Sequence, residues 1–272
     1  MKLAVSNIAW PAAADAEALG ILRESCIRGI EIAPTRLWPD WKGASLEAAR
    51  AASADCSATG LSIAALQAIL FAKPEYKLFG TTAEREGLMS HLRFCAELAG
   101  TLGARSLVFG APKNRELNGL SADAAFEMAF ECFAAVAPDY ERHGVCLCLE
   151  ANPPQYGCQF MTASAQAASM VRRVNSPGLR LHLDTACMHL AGENLPAAVR
   201  NNFDLVSHFH VSEPFLASMD APVVDHAAIA GLLRELNYAG WVSLEMREPP
   251  AEPLPTLRRA VEFLARTYGG EF

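Results

Sequence analysis

Short apolar runs alternate along this chain with longer segments in which apolar residues recur every three or four positions, the two periods that separate strands from amphipathic helices. LAVSNIAW, residues 3–10, has strand character and stops at Pro11. In DAEALGILRESCIRG, Leu19, Leu22 and Ile27 keep helical spacing until Gly29 ends the segment. GIEIAP, from Gly29, predicts the second strand, and a helix begins near Ser45. Gly60 introduces LSIAALQAIL as the third strand; 83–99 reads as an amphipathic helix and GARSLVFG as the fourth strand. A helix over 123–143 ends at Gly144, which resets the chain into VCLCLE, the fifth strand. LRLHLD from Leu179, LVSHFHV from Leu205 and WVSLEMR from Trp241 predict three more strands, with helices over 162–174, 193–201, 224–236 and finally 255–268.

Strands that alternate with helices favour parallel pairing, because each return crossover needs a helix. Eight such units within 272 residues predict a single (β/α)8 TIM barrel spanning 1–272 as one domain. An open doubly wound sheet is the alternative. It is disfavoured because the first strand carries no glycine-rich dinucleotide fingerprint.

Composition narrows the partners. Hydrophobic residues make up 51% of the chain, enough for a large core, and the formal charge is -7 with no block of Lys or Arg to neutralise phosphates. Nucleic acid is therefore not expected as a partner. The first ten residues lack the charged region and sustained apolar segment of a secretory signal, and no later segment predicts a membrane span, so a soluble cytoplasmic protein is expected. The eight Cys are scattered inside apolar segments and read as small buried residues; Cys146 and Cys148 share one strand face, which fits core packing better than metal binding.

Glu150, Asp184, His210 and Glu245 stand at or just beyond the ends of the fifth to eighth predicted strands. In a barrel these ends form one rim, so the four can surround one small volume. Converging carboxylates repel and tend to take up protons unless a cation stabilises them. The three carboxylates and one imidazole therefore predict a divalent-metal site, with Mn²⁺ or Mg²⁺ favoured by the oxygen-rich set and Co²⁺ or Zn²⁺ still open. No organic cofactor is expected. Such an ion would hold a carbonyl and a neighbouring hydroxyl and stabilise an enediolate, with Glu150 and Glu245 as the proton-transfer pair.

Other residues are candidates for the surroundings of that site. His182 alternates with Asp184, and His208 with His210, so each deeper His can support its neighbour. Trp10, Trp38 and Phe215 can cover a sugar face. Asn152 and Gln155, in the loop after Glu150, can bind hydroxyls, Glu31 and Gln67 lie near earlier strand ends, and Arg247 can meet an anionic group.

CLEANPPQY, LHLDTACMHL, HFHVSEP and WVSLEM together resemble the xylose-isomerase-like, sugar phosphate isomerase/epimerase superfamily, and the resemblance runs from LAVSNIAW to the last helix. It implies the barrel, and it maps the family's metal ligands to Glu150, Asp184, His210 and Glu245. The two glutamates match the proton-transfer pair of ketose 3-epimerases. Those enzymes often place a substrate-contacting His three residues after the sixth-strand Asp, where this chain has Cys187. They also commonly carry an Arg after the seventh-strand His, which VSEPFLASM lacks. His189, Glu213 or Arg247 can compensate. Endonuclease-type relatives bring further His ligands from the third and fourth strand ends, where Gln67 and Phe109 stand here. The expectation is a metal-dependent isomerase or epimerase acting on a small polyhydroxylated metabolite, with homodimerisation implied by the resemblance. An inosose- or dehydroshikimate-type dehydratase, or a non-enzymatic metabolite-binding barrel, is the alternative.

Overall fold

The computed structural model describes residues 1–25 and 27–270. Its parallel strands are β1 Lys2–Ser6, β2 Gly29–Ile32, β3 Ser62–Leu66, β4 Ser106–Phe109, β5 Cys146–Glu150, β6 Leu179–Asp184, β7 Val206–Ser212 and β8 Trp241–Glu245. They close into one barrel in chain order, with β1 paired to both β2 and β8. Around it lie α1 Asp15–Glu24, α2 Pro34–Leu37, α3 Leu46–Ala58, α4 Thr82–Leu102, α5 Ala122–Arg142, α6 Ser164–Val174, α7 Thr185–Leu190, α8 Leu195–Asn202, α9 His226–Glu235 and α10 Pro253–Tyr268. Among the described residues no helix is long and apolar enough to cross a membrane.

Period-two alternation divides each strand between two environments. Leu147 and Leu149 of β5, Leu181 and Leu183 of β6, Phe209 and Val211 of β7, and Val242 and Leu244 of β8 are buried in the hydrophobic core. The intervening positions carry the polar residues. Register sets them side by side: Glu150 pairs with His182, His182 with His208, Asp184 with His210, and Ser212 with Glu245. At the opposite end, β2 begins with Gly29 because an added Cβ would collide with Ala4 and with the Trp241 ring.

The structure shortens several predicted elements. β1 ends at Ser6, not Trp10, because the next residues turn inward: Asn7 accepts a hydrogen bond from Ala33 N at 2.9 Å, and Trp10 is 1% exposed with its Nε1 donating to Asp15 at 2.7 Å. β3 ends at Leu66, after which Ala68 takes a left-handed φ of 51° and turns the chain across the barrel mouth. Two short helices were not predicted. One of them, α7, starts directly after Asp184, whose carboxylate accepts from Cys187 N at 2.6 Å and caps it.

Candidate active site and metal centre

A cavity of about 700 Å³ opens at the C-terminal ends of the strands, lined at its floor by Glu150, Asp184, His210 and Glu245. The four residues predicted to converge therefore face one volume. Asp184 and His210 are 3% and 1% exposed, and Glu150 is 8% exposed.

His210 is the hub. Its Nε2 lies 2.9 Å from Glu31 Oε2, while its Nδ1 stands 3.3 Å from Glu245 Oε2 and 3.7 Å from Asp184 Oδ2. That Nδ1 is buried and has no hydrogen-bond partner. Burial opposes a charged ring, but the Glu31 and Glu245 carboxylates outweigh it and hold His210 well above the ordinary imidazole range. Glu31 is fully buried; desolvation would raise it, yet His210 and His208 hold its carboxyl well below the usual value of 4.5. His208 completes this layer with Nε2 at 3.2 Å from Glu31 Oε1.

The other carboxylates are under opposite pressure. Burial, with Asp184 and Glu245 nearby, pushes Glu150 up to about 8, and burial with Glu245 raises Asp184. Asp184 is held by Ser212 Oγ, which donates to its Oδ2 at 2.6 Å, and by the Cys187 amide. His182 lies beneath Glu150, its Nε2 3.7 Å from Glu150 Oε1, and both its ring nitrogens are buried without hydrogen bonds. Burial, followed by His210 and His208, lowers its pKa, so the ring is neutral and available as a lone-pair donor.

Ligand atoms from Glu150, His182, Asp184 and His210 all lie within 4.8 Å of one another. Glu245 stands at the edge of this set, joined to it through His210. The donor chemistry suits a divalent cation: the neutral His182 ring offers a lone pair, the crowded carboxylates are relieved by a positive ion, and such an ion would take the place of the proton on His210. This cluster places His182 nearer to direct ligation than the supporting role expected from its strand position.

Two neighbours fix the glutamates. Gln67 Nε2 donates to Glu245 Oε1 at 2.8 Å, and Asn152 Nδ2 donates to Glu150 Oε2 at 2.9 Å. Behind Asn152 sits Arg115, 0% exposed, donating to the Glu150 carbonyl at 2.9 Å and to Asn152 Oδ1 at 2.6 Å. Sequence reasoning missed Arg115. It lies in a polar loop, PKNRELN, where nothing separates a buried Arg from its exposed neighbour Lys113. Ser212 was missed too, although its period-two spacing from His210 was a usable signal.

Several candidates lie elsewhere. Glu31 is no substrate contact, because it is sealed beneath the site by two histidines. Trp10 and Trp38 are buried in the core and do not line the cavity, so neither covers a substrate there. Gln155 is exposed and donates to Leu190 O at 2.9 Å, and His189 is exposed on α7 outside the cavity wall. Glu213 is occupied with Val223 N, Val224 N and His226 Nε2, at 2.8, 3.2 and 2.8 Å. Of the residues expected to compensate for the missing histidine and arginine, only Arg247 lines the cavity.

Comparison with known proteins follows the same lines. Solved structures that superpose on this one include the 3-keto-D-glucoside 4-epimerase of E. coli, with a TM-score of 0.79, 19% identity and coverage of 98% of this chain and 99% of that one. They also include the D-psicose 3-epimerase of Clostridium cellulolyticum, at a TM-score of 0.82, 15% identity and coverage of 99% and 100%. At these identities the likeness is one of fold. A curated protein of Xenopus laevis, provisionally named a hydroxypyruvate isomerase, is 27% identical over 120 residues, a match that spans 43% of this chain and 42% of that protein. The family model described as the xylose isomerase-like TIM barrel matches residues 16–267, and the chain belongs to that family.

Proposed function

We propose that this protein is a divalent-cation-dependent isomerase or epimerase of a sugar or related polyhydroxy carbonyl compound. The observation that carries the reading is the approach of Asp184 and Glu245 to the unpartnered His210 Nδ1, with Glu150 in the same cluster, at the floor of an open cavity. Glu150, Asp184, His210 and Glu245 would hold the ion, with His182 offering a further nitrogen beneath Glu150. Mn²⁺ or Mg²⁺ suits the oxygen-rich set, and Co²⁺ or Zn²⁺ suits the nitrogens. When bound, such an ion supplies Lewis-acid polarisation of a carbonyl and its neighbouring hydroxyl, which acidifies the carbon-bound proton between them.

The chain's own groups do the rest. Glu150 on β5 and Glu245 on β8 reach the cavity from strands three places apart in the ring, so they approach a bound molecule from different sides. One carboxylate removes the proton and the other returns one, which inverts a carbon centre or moves the carbonyl. Asn152 and Gln67 orient the two carboxylates. Glu31 occupies the far nitrogen of His210 and so fixes which nitrogen faces the carboxylates.

The test is a screen of sugars and cyclic polyols in D₂O with Mn²⁺, followed by NMR. Deuterium should enter one substrate carbon, and Glu150→Gln and Glu245→Gln should each slow that exchange by about 100-fold or more. Full exchange and turnover in both variants would overturn their acid/base roles. A dehydrated product would keep the proton abstraction and replace isomerisation with elimination.

A further inference from the structure

The mouth of the cavity differs chemically from its floor. Phe71, in the loop after β3, is 67% exposed, and Phe215, in the loop after β7, is 60% exposed; both line the cavity. β3 and β7 are four places apart in a closed ring of eight strands, so their loops face each other across the opening. Pro74, Pro112 and Leu216 continue the apolar wall between them.

These two rings are uncovered although their backbones are pinned. Trp41 Nε1 donates to the Phe71 carbonyl at 2.9 Å, and Phe215 N donates to Tyr156 Oη at 2.8 Å, with the Phe215 and Tyr156 rings edge to face at 5.6 Å. Phe215 and Leu216 hold left-handed φ angles of 60° and 58°, and Ala68 and Ala72 on the facing loop hold 51° and 61°. Non-glycine residues keep such angles only where their surroundings fix them, and they gather at ligand-binding positions. The cavity's 700 Å³ falls within the range of about 300–1,000 Å³ that drug-sized ligands fill.

We propose that the Phe71–Phe215 mouth is a subsite for an apolar substituent, and that the natural substrate is a sugar bearing an aryl or alkyl group. This rests on the functional reading above, in that the polyhydroxy end meets the carboxylate floor while the substituent lies between the two rings. The two rings line one cavity from loops on opposite sides of the barrel. Exposed aromatic rings contribute binding through the apolar area that a bound substituent buries and, for an aryl group, through ring stacking.

Calorimetric titration of Mn²⁺-loaded protein with 6-O-phenyl-D-fructose and 6-O-methyl-D-fructose, which both keep a ketose carbonyl for the floor, tests it. The phenyl ether should bind about tenfold more tightly, and Phe71→Ala or Phe215→Ala should each remove most of that preference. Phe71→Ala carries the test alone if Phe215→Ala fails to fold by circular dichroism. Equal affinities, a preference that survives both substitutions, or no binding of either ether overturns the subsite. So does light scattering that shows a dimer converted to monomer by these substitutions, since a second copy would then cover the rings. Mn²⁺ is titrated separately: normal ion binding without a phenyl preference overturns the subsite alone, and a phenyl preference without ion binding overturns the metal reading alone.

Discussion

A methyl group added at Gly110 would run into the Glu150 carboxylate, with Asn152 Oδ1 at 3.2 Å on its other side. Gly110 follows β4 directly, and its missing side chain makes the room in which Glu150 turns toward Asp184 and His210. Gly110→Ala should therefore leave the barrel intact by circular dichroism and weaken Mn²⁺ binding about tenfold, a cost of about 1.4 kcal/mol for a displaced ligand. Unchanged affinity would show that Glu150 does not need this space. At this scale the four acidic and imidazole positions were legible, because strand-end spacing alone puts them on one rim. Gly110 was not, since a glycine after a strand reads as a turn until the atom across from it is known. Glu31 was misread for a related reason: a strand-end carboxylate signals a possible contact, but its burial between His208 and His210 depends on strands far away in sequence.

Between elements, Arg115 ties the loop after β4 to the end of β5 through the Glu150 carbonyl and Asn152. Arg115→Met keeps most of the apolar bulk and removes both donors, leaving buried acceptors unpaired. The expected loss is about 3 kcal/mol in urea denaturation, and Glu150 should lose the Asn152 orientation that depends on this tie. A stability unchanged from wild type would contradict the buried role. The strands themselves were legible because their apolar runs are bounded by glycine and proline, and the outer helices because their period is long enough to read. What failed were the junctions. The first strand was expected to reach Trp10 because Ile8 to Trp10 look like strand residues, whereas the chain turns there, with Ala9 and Trp10 buried and the turn held by hydrogen bonds of Asn7 and Trp10. The short α7 depends on a cap from Asp184, a carboxylate whose strand-end position points to metal ligation and gives no sign of a helix start.

For the whole molecule, ring closure brings β1 beside β8 and sets three strand-end carboxylates and the His210 imidazole around one opening. The consequence is a pH-dependent strain. Glu150, raised to about 8 against an ordinary 4.5, keeps a proton in the folded chain that the unfolded chain releases, so its contribution to stability is lost as pH rises through that window. His210, raised above 6.5, acts in the same direction at higher pH. The lowered His91, His182 and His226 act only below 6.5, where stability falls as pH drops. Cys146, brought to about 7 chiefly by its hydrogen bond with Cys148, titrates nearby but sits in the first position of β5, away from the cavity floor, and cancels when the same protein is compared with and without ion. A cation at the floor relieves the carboxylates directly, and it competes with their protons. The decisive measurement is thus urea denaturation of chelator-treated protein at pH 6.5 and pH 8, with and without Mn²⁺. The account predicts stabilisation of about 2.7 kcal/mol at pH 6.5 when free Mn²⁺ is set one hundredfold above the dissociation constant at that pH, and at the same Mn²⁺ concentration a stabilisation larger at pH 8 by up to about 1.4 kcal/mol per pH unit for each displaced proton. Identical unfolding curves with and without Mn²⁺ at both pH values would contradict it.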